Sequence, residues 1–94
     1  MSVALDHANL TDAEKIATAA EMVRLGLAAS VPGEGRCLVT AHRWFNLAAH
    51  QGDADGHYYR QQLTLEMSTA EIARAQREAR EWLRVRQPAF QAAA

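Results

Sequence analysis

Apolar residues recur every three or four positions along most of the chain, and strict two-residue alternation appears nowhere. That period belongs to amphipathic helices rather than strands. Ile16, Ala20, Val23 and Leu27 form a first stripe, on a helix expected to fade near Ala28 or Ala29. Thr11 and Glu14 have the spacing of a capping box, in which each side chain satisfies a backbone N–H, so the helix is placed from Thr11. "SVPGEGR" interrupts it, because a proline and two glycines in so short a stretch do not continue a helix. A second helix is predicted from about Leu38 to His50. Ala41, Trp44, Phe45 and Ala48 line one face, and Leu38 and Leu47 widen it. Gly52 is placed to stop this helix in a left-handed turn, and Asp53 to cap the next.

The third helix, "ADGHYYRQQLTLEM", carries Tyr59, Leu63 and Met67 on one stripe, with Tyr58 and Leu65 beside it. Ser68 and Glu71 make a second capping box. Ile72, Ala75, Ala79, Trp82 and Leu83 then form the apolar face of a fourth helix. Its outer face pairs Arg74 with Glu78 and Arg77 with Glu81 one turn apart. Pro88 is expected to end it. The pattern predicts an all-α fold of about four helices in antiparallel hairpins. Residues 1–10 are read as a loose arm, 11–87 as one helical domain and 88–94 as a frayed tail.

Composition narrows the function classes. The chain has 94 residues, 49% hydrophobic and 22% charged, which suits one small globular domain. Much of the apolar content is alanine, which favours helix but adds little burial energy per residue. A formal net charge of −1 argues against a general nucleic-acid binder, which needs a basic footprint. One cysteine, Cys37, rules out an intrachain disulfide and fits a reducing compartment. The N-terminal residues lack a basic region followed by an apolar core, so no secretory signal is read there. No apolar run reaches the roughly 18 residues of a membrane span.

The stretch from Leu25 to Gly52 resembles the Sel-one-like repeat family, short helix–turn–helix repeats related to tetratricopeptide repeats. The residues carrying the resemblance are Leu25-Gly26, the Gly33/Gly35 loop, Ala41, Trp44-Phe45, Ala48-Ala49 and Gly52. "GDADG" then looks like the start of the next repeat, with Gly56 where the family usually has alanine. "MSTAEIARAQREAREW" resembles the helix that commonly closes such arrays. The match covers roughly residues 13–87. Its first repeat is degenerate: Ala28 or Ala29 replaces a usual aromatic, and Cys37 lies where an Asp is common. The resemblance implies a binding module without enzymatic activity, in a bacterial cytoplasm. Small residues at Gly26, Ala41, Ala48 and Gly56 would let helices cross closely. Trp44 and Phe45 would fill the wider gap between hairpins.

Chemical readings are weak beside this one. His42 and His50 lie more than two turns apart on one helix, and only His50 and His57 flank a common turn. Nothing has the spacing of a paired ligand motif, so the histidines are read as surface or helix-end groups and no metal is expected. Cys37 with His42 as base lacks any oxyanion or phosphate-binding motif, so no enzyme activity and no cofactor are expected. The Arg-rich last helix offers an alternative, a small DNA-associated regulator. Interleaved Glu71, Glu78 and Glu81 make that face look solvated instead. The expected partner is therefore another protein or a second copy forming a homodimer, with nucleic acid disfavoured and no membrane. Arg43, Asn46, His50, His57, Tyr58, Arg60 and Gln61 are the candidate contact residues, as outward positions on the second and third helices. Gly26, Ala41, Trp44, Phe45, Ala48, Gly52 and Trp82 are the structural ones.

Overall fold

A computed structural model describes residues 18–93 of the chain, with side chains described over 18–85. The described residues form four helices: α1 (Ala19–Ser30), α2 (Leu38–His50), α3 (Ala54–Thr64) and α4 (Thr69–Ala93). The fold is all-α, as the periodicity predicts, and α2 is its hub. Each of the other three helices packs on α2, whereas α1 touches α3 lightly and α3 and α4 scarcely meet.

Local chemistry explains where the helices begin and end. Thr18 caps α1 in a reciprocal box with Glu21. The box expected at Thr11 and Glu14 lies outside the described residues. Helix α2 closes in a Schellman turn. The Gly52 N–H donates to Ala49 O at 2.9 Å and the Asp53 N–H to Ala48 O at 3.1 Å, while Gly52 takes a φ of +89°. Asp53 then accepts from the Gly56 N–H at 2.8 Å, so one short joint ends α2 and starts α3. Removing that cap with Asp53→Ala should lower stability by about 1 kcal/mol. A urea midpoint no different from wild type would show that the cap is dispensable. Ser68 and Glu71 form the predicted box at the start of α4.

The core holds Met22 and Val23 from α1, Ala41, Phe45, Leu47 and Ala48 from α2, Leu63 from α3, and Ala79 and Trp82 from α4. Two glycines set the helix crossings. A Cβ built on Gly26 would lie 2.5 Å from Phe45 Cε1, and one on Gly56 would lie 2.6 Å from Ala48 Cβ. The backbones therefore approach to distances that only a bare Cα allows. Phe45 stacks on Tyr59, with ring centroids 5.3 Å apart at 28°. Trp44 meets Trp82 edge to face at 6.2 Å and joins α2 to α4.

The structure departs from the sequence pattern at several positions. In α1 the buried line is Met22, Val23 and Gly26, while Ala20 and Leu27 are exposed and Ile16 lies outside the described residues. The contact line follows Gly26, where Phe45 fits, and that turns Leu27 outward. Leu65 is 80% exposed because α3 stops at Thr64, whose hydroxyl donates back to Gln61 O at 2.6 Å. Glu81 pairs with Arg84 rather than Arg77. Helix α4 passes through Pro88 to Ala93. A proline removes one backbone donor, but its fixed φ is compatible with a helix.

Candidate functional site

Two of the helices resting on α2 leave a gap between them. Asn46 faces α3, where its Oδ1 accepts from Arg60 Nη1 at 2.7 Å. Arg43 faces α4, where Nη1 stands 4.0 Å from Glu78. His50 lies one turn beyond Asn46 and two beyond Arg43, so the three share one stripe of α2. Because α3 and α4 scarcely touch, and Asn46 bonds one while Arg43 approaches the other, that stripe lies in the gap between them, a cleft over α2. At the Leu65–Ser68 joint, Arg36 from the loop before α2 reaches Glu66 at 2.8 Å.

One wall is α3. His57 Nδ1 lies 2.9 Å from Arg60 Nη2, so His57, Arg60 and Asn46 form a continuous polar chain across the α2–α3 seam. The other wall is α4, which encloses an open hollow of about 240 Å³ lined by Arg43, Glu78, Glu81, Trp82 and Val85. Val85 is 56% exposed at its edge. Of the contact residues named from sequence, the fold brings Arg43, Asn46, His50, His57 and Arg60 to this cleft. Tyr58 is 57% exposed and packs edge to face on Tyr59, on the outer side of α3. Gln61 is exposed on the same helix. Glu78, Trp82 and Val85 were not singled out as contact residues, because nothing local to α4 says which helix it will pack on.

Charge in the cleft is unevenly satisfied. Glu78 is held by Arg74 at 3.0 Å, and Glu81 by Arg84, whose guanidinium lowers the Glu81 carboxyl pKa. Arg43 has a longer pairing, with Nη1 4.0 Å from Glu78 Oε1, while Arg74 holds Glu78 Oε2 at 3.0 Å. The Arg43 guanidinium lies over the Trp44 ring at 4.9 Å, and its buried Nε has no hydrogen-bond acceptor. Arg60 meets only the neutral amide of Asn46 and the His57 ring; among the described residues it has no ion pair.

His42, expected at the surface, is 1% exposed, and its Nδ1 is buried without a hydrogen-bond partner. On α2 it falls between the turn of Phe45 and that of Asn46, under α3. Burial lowers its pKa, and the nearby positive charge of Arg60 lowers it further. The folded state thus holds fewer protons than the unfolded state once the pH drops below the ordinary imidazole value of 6.5. Stability contributed by neutral His42 is present above that pH and is lost as pH falls toward the lowered value. The urea midpoint should therefore decline from pH 7 to pH 5, and His42→Phe should flatten the decline. An equal decline in both proteins would place the pH sensitivity elsewhere.

Cys37 is exposed at the start of α2, and hydrogen bonds to the side chain and backbone of Thr40 lower its thiol pKa. His42, the base considered for it, is buried. Among the described residues no group of three or more His, Cys, Asp or Glu side chains could hold a metal ion. Among them also, no helix is long and apolar enough to cross a membrane. Comparison of the chain with protein-family models, with curated proteins and with solved structures finds no match.

Proposed function

We propose that this chain is a small, non-enzymatic protein-interaction module, a short helical array of the Sel-one-like type, and that the cleft over α2 is its docking site. The observation that carries the reading is the splaying of α3 and α4. It leaves His50 of α2 exposed and Arg43 and Asn46 half-buried between two walls, with a hollow at Trp82 and Val85. A partner segment lying there would bury an apolar side chain in the hollow and use polar contacts to set its register. The partner is a segment of another protein, and the module acts as an adaptor or regulatory subunit in the cytoplasm. The small-residue crossings at Gly26 and Gly56 support the repeat assignment. The alternative, a DNA-associated regulator, gains little from α4, where Arg74 and Arg84 are held by Glu78 and Glu81.

Site-specific photo-crosslinking in cells tests the reading. A crosslinker at His50 should yield a discrete adduct, and one at Arg24 on the outer face of α1 should not. Adducts of the same size and intensity from both positions would contradict it. An adduct of twice the chain mass would identify the occupant as a second copy and overturn the adaptor role.

A further inference from the structure

The cleft holds two guanidinium groups on a chain whose formal net charge is −1. Among the described residues Arg60 has no ion pair, and Arg43 has one long pairing with a carboxylate that it shares. Arg43 stands 4.0 Å from Glu78, but Glu78 is already bonded to Arg74 at 3.0 Å. Arg60 is bonded only to Asn46 and His57. The two carboxylates on the α4 wall, Glu78 and Glu81, are both occupied by arginines of their own helix. Glu78 is thus shared between Arg43 and Arg74, and Arg60 has no carboxylate, so guanidinium is in excess over carboxylate here. Beside Arg43 lies the hollow at Trp82 and Val85, which has room for a branched aliphatic side chain.

We infer that the segment this cleft takes is acidic. It carries Asp or Glu side chains that pair with Arg43 and Arg60, beside an aliphatic side chain that fills the hollow. The inference rests on the docking reading above and adds the partner's chemistry to it. Guanidinium groups recognise carboxylates through two parallel N–H donors, so the pairing fixes orientation as well as charge. A basic partner segment would meet Arg43 and Arg60 as like charges and be rejected.

Panning a library of random, phage-displayed dodecapeptides on the full chain tests this. Selected peptides should be rich in Asp and Glu and contain an aliphatic residue. A synthetic peptide of the selected sequence should bind Arg43→Glu at least about tenfold more weakly than wild type, with Arg43→Lys intermediate and Arg24→Glu unchanged. Its affinity should also fall as salt rises. Should Arg43→Glu fail to fold by circular dichroism, Arg43→Gln serves, with a loss in the same direction. Neutral or basic peptides that crosslink at His50 would overturn the acidic assignment and leave the docking reading standing. Selected peptides that crosslink only outside the cleft, or an empty selection, would overturn both.

Discussion

Gly56→Ala is expected to destabilise the fold by about 2 kcal/mol, although glycine to alanine inside an open helix should stabilise by up to about 1 kcal/mol. The sign reverses because the added methyl has no room. It would meet Ala48 Cβ at 2.6 Å, the Ala49 backbone N at 2.9 Å and the Phe45 carbonyl O at 3.0 Å. Two of those atoms are backbone of α2, so relief requires the helices to separate. Separation would uncover Phe45 and Tyr59 and disturb the Asp53 cap at the adjoining joint. Ala48→Gly in the same chain should recover only part of the loss, since it removes one of the three collisions. Equilibrium urea unfolding reads the effect. A Gly56→Ala protein as stable as wild type would mean that α2 and α3 do not cross as closely as described.

Phe45→Ala should cost more, about 3–5 kcal/mol. The ring is 2% exposed, lies against Gly26 on α1 and stacks on Tyr59 of α3. It joins three helices at a single point. Domains of this size hold about 5–15 kcal/mol in all, so the variant should be largely unfolded under mild denaturant or warming. Phe45→Leu keeps most of the volume and should cost markedly less. Gly26→Ala pushes a methyl into the same ring, 2.5 Å from Cε1 and 2.7 Å from Cδ1. Should Phe45→Ala retain a midpoint close to wild type, the core would have to be organised around another residue.

Features fixed by short stretches of chain were readable in the sequence. The inward face of α2, the turn at Gly52, the cap at Asp53 and the box at Ser68 and Glu71 each depend on residues within about two turns. The buried line of α1 was misplaced because it is chosen by a missing side chain, Gly26, and not by the large apolar residues. Nothing in a hydrophobic pattern marks a glycine as the centre of a contact, and Gly26 was singled out as a close crossing by the family resemblance instead. His42 was read outward because it is polar, yet α3 crosses α2 over it. Half of the cleft was legible, since Arg43, Asn46, His50, His57 and Arg60 stand on outward positions of predicted helices. The α4 wall was not, because α4 rests on α2 and not on α3, and that choice is tertiary. Its consequence is the cleft itself.

The most direct test of the account is a backbone amide chemical-shift map of the full chain, isotope-labelled and titrated with an acidic peptide selected as above. Shifts concentrated at Arg43, Asn46 and His50 on α2, at Arg60 on α3, and at Trp82 and Val85 on α4 are predicted, with α1 quiet. Shifts that instead follow the outer face of α1, at Leu27 and Val31, would contradict the cleft as the place where this protein meets its partner.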